Sequence, residues 1–547
     1  ASPTIRNNLF TLNTALGTPY GGQGGGIYSK YTSVIIEDNL FSGNSSGMDG
    51  GGIYCEYPSD AQISNNTFTE NSCESSGGGI YIWQGPARVE GNTVVQNHSG
   101  STGGGIYCMV TSAVIADNLI AGNDTVNTGG GISVQNCEDL ELASNIISDN
   151  SANPAYDGGG GGIYWHYSDG CIKNNTISNN TTLLNGGGIC LEHASPVIVN
   201  NSITENSAAS FYSFGGGIYS DFESAPEIRG NRVADNTTTG SGGGLCVSAE
   251  APPIEGNLIC GNQATDGAGI MCFAPSMLIN NMIIGNHASD TGGGASIYYY
   301  DAVLVNNTFS GNEADLEGGG LFCHKTCMKI ANSLFWNNSA IEGPELCLRG
   351  SSDVEIKSSD LKGGQAQVSV DPGCSLNWGA GMIDIDPLFV SAVNRDGHLF
   401  FNSPCKDTGD NAAAYLPAQD LEGDPRVAFG TVDIGADEFH PHLYYTGEAT
   451  PGGSIEIKIA GLPGTDPVGV FLGSGVLETP LNTAWGEYYL EYPWFLVPLF
   501  PVPADGVLIL PVAVPALPAA PYDLPMQALI GLGSNTLSNL CLVTVRA

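Results

Sequence analysis

The chain has 547 residues, 55 of them acidic and only 16 basic, for a formal net charge of −39. A surface this acidic repels phosphate, which excludes nucleic acid and anionic membranes as partners. No apolar run reaches the roughly 18 residues of a helical membrane span, so none is expected. Leu496 to Pro518 is apolar but broken by prolines, which argues for strands.

From the first residues onward one pattern recurs. Asn-x-φ-x-x-Asn, with φ apolar, begins at Asn8, Asn39, Asn66, Asn92, Asn118, Asn145, Asn175, Asn201, Asn231, Asn257, Asn281, Asn307 and Asn332. Twelve copies are followed by a Gly-x-Gly turn, eleven of which read Gly-Gly-Gly. The twelfth turn is Gly267-Ala268-Gly269, and the thirteenth copy has only Gly343-Pro344-Glu345. A period of 24 to 31 residues over 1–350 means stacked coils.

Within a coil, apolar residues occupy fixed columns. Ile5, Ile36, Ile63, Val89, Ile115 and Leu142 stand three residues before the first Asn in twelve of the thirteen copies. Phe10, Phe41, Phe68, Val94, Ile120 and Ile147 stand two after it, and Ile27, Ile53, Ile80, Ile106, Ile132 and Ile163 follow the glycines. Each apolar run has a period of two, which is strand behaviour. The expectation is an all-β, right-handed parallel β-helix with three short strands per coil. Thirteen regular coils and a few irregular ones, rising ~4.8 Å each, give a rod of about 75 Å.

Gly supplies the positive φ of sharp corners, and Asn is the next best residue for it. Asn side chains stacked in columns can also bond along the rod. Several sites fit Asn-x-Ser/Thr, such as Asn65-Asn66-Thr67, but the Asn recurs whether or not Ser or Thr follows, so the columns read as structural.

Phe41-Ser42-Gly43-Asn44, Phe68-Thr69-Glu70-Asn71 and Phe309-Ser310-Gly311-Asn312 resemble the Phe-x-x-Asn repeats of polymorphic outer-membrane proteins, and Gly-Gly-Gly-Ile resembles their Gly-Gly-Ala-Ile. More broadly the chain is similar to pectin-lyase-like right-handed β-helices of bacterial surfaces. The resemblance implies secretion, with adhesion or surface display in relatives. Those relatives end in a membrane β-barrel, a feature this sequence does not show.

Residues 351–440 lose the repeat. Ile383 to Phe389, Asn402 to Gly409 and Val432 to Glu438 resemble the closing segments of secreted β-helix proteins, and two or three irregular coils are expected there. Asp384, Asp386, Asp407 and Asp410 offer oxygen ligands for Ca²⁺; the competing and preferred reading is turn capping, with no cofactor required. Residues 441–547 hold 14 of the 30 prolines and alternate cleanly at Ser454 to Ile459 and Leu540 to Val545, which predicts a small β-sandwich.

The cysteine spacing argues against a disulfide framework in the coils. Cys55 and Cys108 share a column but lie two coils apart, at ~9.6 Å, and Cys246 and Cys272 face opposite sides. Cys374 with Cys405 is the best remaining pair. Cys323-His324-Lys325-Thr326-Cys327 offers one His and no second Cys pair in register, which is weak for a metal.

Function reads as a secreted or cell-surface structural or adhesive protein. The alternative is a carbohydrate-binding or polysaccharide-cleaving β-helix. An enzyme is the weaker reading, since no Asp-Asp pair or Gly-His-Gly occurs and the arginines are scattered. Tyr28, Tyr54, Tyr81, Tyr107, Tyr164 and Tyr219 follow the inward Ile and are expected outward, as a face for sugar rings or a partner protein; simple stacking along the sheet is the competing reading. The chain opens in mid-coil, so removal of an upstream piece is expected, and head-to-tail self-association into a filament is the expected partnership.

Overall fold

A computed structural model describes residues 3–17, 21–155, 158–221, 223–249, 252–391, 395–400, 402–427 and 430–439. Beyond these it describes seven strands between Leu443 and Val545 by backbone alone. The first rung holds Thr4–Arg6, Leu9–Thr11, Thr14–Ala15 and Ile27–Lys30, each pairing parallel with its counterpart one rung on. Repetition builds four sheets of 15, 14, 12 and 14 strands. At the ~4.8 Å spacing of paired strands, the 14 steps of the first sheet span about 67 Å.

The coil thus has four strands where three were expected. The extra one, Ser45–Ser46 and its equivalents, is two residues long in all rungs but those of Gln263–Asp266 and His287–Thr291. Alternation needs more residues than that to show in a sequence.

One apolar column fills the rod. Ile36, Ile63, Val89 and Ile115 come from the first sheet, Phe41, Phe68, Val94 and Ile120 from the second, and Ile53, Ile80 and Ile106 from the fourth, all fully buried. Phe10, Phe41 and Phe68 stack at 4.8 and 4.7 Å. Small cysteines complete the packing: Cys55, Cys108, Cys272 and Cys323 belong to the same core.

The Asn columns are hydrogen-bond ladders. Asn206 Nδ2 donates to Ile177 O and to Asn236 Oδ1, both at 2.9 Å, and Asn206 Oδ1 accepts from Asn180 N and Nδ2. The left-handed corner expected of these asparagines belongs to the residue before each. Asn65, Asp117 and Asn200 have φ near 55° ahead of Asn66, Asn118 and Asn201. The ladder asparagines are buried and repeat the same bonds rung after rung, so their role is to saturate backbone carbonyls at the corners. In the thirteenth copy Asn332 and Asn337 themselves take the positive φ, and Ser333 and Asn338 stand in the ladders. The sequence flagged this slip: three residues before Asn332 is Lys329, and the core residue is Ile330.

The glycine triplet has steric causes that differ by position. Gly103 has φ 67°, while a Cβ on Gly104 or Gly105 would lie 2.4 or 2.6 Å from a carbonyl of the next rung.

The expected closing coils are shorter than predicted. The solenoid continues through Asp353–Lys357, Asp360–Leu361 and Val368–Val370 to Ser375–Trp378, which is less than two rungs. The chain then doubles back as a strap, residues 389–439, along the corner between the first and second sheets. The strap begins with an antiparallel hairpin of Phe389–Ser391 and Asp396–Leu399. Asn280 Nδ2 donates to Gln419 O, Asn306 Nδ2 to Asp433 O, and Asn332 Nδ2 to Asp410 O, one such asparagine per rung. Beneath it, Met282, Ile284 and Leu334 of the second sheet are buried against Ala436, Ile434 and Leu399. Continuing as coils would leave these apolar outward positions wet.

Beyond Leu443 the strands pair antiparallel in a three-stranded and a four-stranded sheet, as alternation indicated. The sandwich packing expected of them lies outside the described residues.

All fourteen described cysteines are free, so the expected Cys374–Cys405 bridge is absent. Cys374 Sγ accepts from Ser352 N, and Cys405 Sγ donates to Asp360 Oδ2 at 3.2 Å. The doubling back of the chain carries Cys405 to the strap, while Cys374 remains at the last rung. On the four sheets no cysteine faces another on a neighbouring strand; Cys55 and Cys108, for example, flank Ile82.

Candidate functional site

The tyrosine column on the fourth sheet points away from the core, as alternation requires, but it is not an open face. Tyr54, Tyr81, Tyr107 and Tyr164 are buried, Tyr219 is half-buried and only Tyr28 is exposed. The glycine turn explains this. Gly50, Gly77 and Gly103 lack the Cβ that would lie 2.8 Å from the Cβ of Tyr54, Tyr81 and Tyr107, so the rings lie down over the turn. Their hydroxyls bond the next rung: Tyr107 donates to Gln135 Oε1 at 2.9 Å and Tyr164 to Glu192 Oε2 at 2.6 Å. Stacking along the sheet is therefore what this column does.

The exposed aromatics stand one corner further on, where the fourth strand ends. Tyr31 and Tyr57 stack at 4.9 Å, and Tyr57 meets Trp83 at 5.1 Å. Tyr167 stacks on His193 at 4.4 Å, with His166 against both. Phe273, Tyr298, Tyr299 and His324 continue the series. Tyr31, Tyr167 and Tyr299 are 66%, 53% and 56% exposed. Tyr31, Tyr57, Tyr167, His193 and Tyr299 share the positive-φ corner position. From the rung of Tyr31 to that of Tyr299 is ten steps, about 48 Å. The strip was missed in the sequence because its position is polar or aliphatic in other coils, such as Gln84, Val110 and Asn136. The only signal was the pair of aromatics in Tyr54/Tyr57, Tyr164/Tyr167 and Tyr28/Tyr31, three residues apart.

The strip runs into a cavity of about 380 Å³ lined by Phe214, Tyr219, Ser248, Phe273, Tyr299 and Tyr300. Lys325 is the cation beside it, with Nζ 5.3 Å from the centre of the Tyr299 ring.

The four aspartates read as Ca²⁺ ligands do not converge. Asp384 Oδ1 accepts from Gly363 N at 2.8 Å and Asp386 Oδ1 from Leu388 N at 3.0 Å, both capping turns. Asp410 caps Ala412 N and pairs with Lys357 at 2.8 Å, which holds its carboxyl below the usual range. Asp407 sits at a positive-φ position, and its N–H donates to Asp433. Two other groups bring three possible ligand atoms within 4.8 Å among the described residues: His287, Glu313 and Asp315, and His398, Glu422 and Asp437. In the second, His398 Nδ1 meets Asp396 Oδ1 at 2.5 Å and Nε2 meets Glu422 Oε1 at 2.7 Å. Burial alone lowers the pKa of His398, but the carboxylates outweigh it and raise the value well above the ordinary one. An imidazolium between two carboxylates is the arrangement this favours.

Around it the strap buries further acids. Asp420 Oδ1 caps Glu422 N and Asp424 N, Asp433 accepts from Asp407 N and Phe439 N, and Asp437 Oδ2 from Leu399 N. Burial, with Glu422 and Asp437 adding to it, pushes Asp420 up to about 8; burial pushes Asp433 up to about 6. Arg426, 1% exposed, donates to Asn280 Oδ1, Ala436 O and Gly435 O at the centre.

The parallel rungs agree with what comparison with known families finds. The family described as "Right handed beta helix region" matches residues 1–125 and 104–278, which together are just over half of the chain. The chain belongs to the right-handed β-helix family. A second family, described as "Periplasmic copper-binding protein (NosD)", matches residues 216–343. No curated protein matches the chain. Neither family is that of the polymorphic outer-membrane proteins. The description of the second names the periplasm, and no helix among the described residues is long and apolar enough to cross a membrane.

Proposed function

We propose that this β-helix is an extracellular or cell-surface binding protein of adhesive type that holds an extended polysaccharide along its aromatic corner. The observation that carries the reading is the strip itself. Exposed rings recur at one corner over about 48 Å of a rigid rod, a geometry suited to a long ligand lying parallel to the axis. Exposed aromatics in a register that the core does not need are costly unless they are used.

Sedimentation of the intact chain with insoluble polysaccharides, including cellulose, chitin and xylan, tests the reading. Retention is expected, and the double variant Tyr31→Ala, Tyr167→Ala should lower the bound fraction. No retention on any of them overturns it. Polysaccharide cleavage is the second reading, and release of unsaturated oligosaccharides from uronate polymers would establish it. Head-to-tail self-association is a separate proposal, which light scattering at rising protein concentration decides.

A further inference from the structure

The strip is not uniform, and its variation points to a specific subsite. Tyr31 and Tyr57 lie nearly parallel, 15° apart, so each ring covers one face of the other. In the cavity the rings are set in two ways: Phe214 lies 24° off Tyr219 with centroids 6.0 Å apart. Phe214 and Phe273 meet at 88° with centroids 6.1 Å apart, and Tyr299 stands at 88° to His324. Perpendicular rings leave faces open.

The fourth sheet changes in these rungs. The outward column that carries tyrosine at Tyr54, Tyr81 and Tyr107 runs Tyr219, Cys246, Met271, Ser296 here. Cys246, Met271 and Ser296 are buried, and of this column Tyr219 alone lines the hollow.

Its chemistry selects a class of ligand. Five of the six lining residues are aromatic, and the polar groups are the hydroxyls of Ser248, Tyr219, Tyr299 and Tyr300. No lining residue is basic, and Lys325 is already engaged over the Tyr299 ring. Asp266 and Asp290 lie close enough to act electrostatically on Tyr298, which abuts both Phe273 and Tyr299. A carboxylated sugar would meet that negative field, with Lys325 at the rim as the one lysine described beside it. A neutral sugar ring has an apolar face for an aromatic ring and hydroxyls for the hydroxyls around it.

We infer that the cleft between Phe214, Phe273 and Tyr299 is a subsite for a neutral pyranose unit of the bound polymer. This rests on the binding reading above and narrows it to uncharged glycans anchored at the rungs of residues 214–300.

The test is calorimetric titration of the intact chain with cellohexaose, xylohexaose and chitohexaose, and with hexagalacturonate as the anionic counterpart. At least one neutral hexamer should bind more tightly than hexagalacturonate. Tyr299→Ala, at an exposed position, should weaken it about tenfold, as should Phe273→Leu, which keeps an apolar side chain in case Phe273→Ala disturbs the fold. Leu119→Ala, exposed on the second sheet, should leave the affinity unchanged. Tighter binding of hexagalacturonate overturns the proposed class while leaving the strip reading intact. Neutral binding that ignores both cleft variants overturns the location. Absence of all hexamer binding overturns the subsite, and retention on the insoluble polymers then shows whether the strip reading stands without it.

Discussion

The solenoid and the strap bury comparable kinds of backbone by opposite chemistry. The rungs saturate their corners with uncharged amides, each Asn bonded to the one above and the one below. The strap does the same work with carboxylates and a guanidinium. Repetition allows the first solution, because every rung offers the next an identical acceptor. A segment that crosses the rungs once has no such neighbour, and uses ions whose several oxygens or nitrogens reach unrelated backbone groups. The asparagine ladders should therefore be indifferent to pH, and the strap should not.

The harshest way to break this contrast is to remove the strap's central cation. Arg426→Ala leaves four carbonyl oxygens without their donor and the nearby buried acids without their counter-charge, and should destabilise the strap by about 3–5 kcal/mol. Hydrogen exchange should show residues 395–439 opening while the rungs under Val89 or Ile172 stay protected. Equal loss in both regions would make them one cooperative unit.

A ladder variant attacks the other side. Asn206→Leu removes bonds to Ile177 O, Asn180 and Asn236, and should cost about 1–3 kcal/mol. An unchanged melting temperature would show that the ladder is not what holds the corner.

The pH response sharpens the contrast further. Asp420, raised to about 8, and Asp433, raised to about 6, bind protons more tightly folded than unfolded, as does Asp360, raised to about 6, the solenoid carboxyl that Cys405 of the strap bonds. His398, also raised, acts in the same direction. Their stabilisation is complete below about pH 4 for the acids and fades as pH rises through each folded value, so the strap should loosen between about pH 4 and 8. After correction for intrinsic rates, its amides should exchange about tenfold more freely at pH 8.5 than at pH 5, with little change in rungs 2 to 7. A strap that tightens with rising pH would contradict the buried acids.

The smallest effect expected is none. Reductant should not lower the melting temperature, because the described cysteines are free. A fall would reveal a bridge formed in solution.

Much of the rod was legible because a period of about 26 residues writes each structural column thirteen times. Phe41 and Phe68 could be recognised as equivalent before any coordinate was known, and they do stack. Single events were not legible. Nothing in Gln419 or Arg426 announces that they lie against Asn280, some 140 residues earlier. The tyrosine column was placed on the correct side of its strand, yet its burial depends on a bare glycine turn beside it, and alternation says nothing about neighbours. The strip itself was hidden because its rings skip rungs.

The three corner asparagines under the strap have a consequence for how the rod can vary. Between successive ladder positions the chain takes 31, 27, 26, 26, 27, 30, 26, 30, 26 and 24 residues where the early corners are free. From Asn281 through Asn307 and Ser333 to Ser359 it takes 26 each time. Asn280, Asn306 and Asn332 must arrive one per rung at a segment whose own spacing is set by its folding, so the strap works as a gauge laid across the coils. Loops added to early rungs are absorbed at a corner and forgotten. A loop that pushed Asn306 outward would lift the gauge from its neighbours on both sides, so growth of this molecule is tolerated at one end and refused at the other.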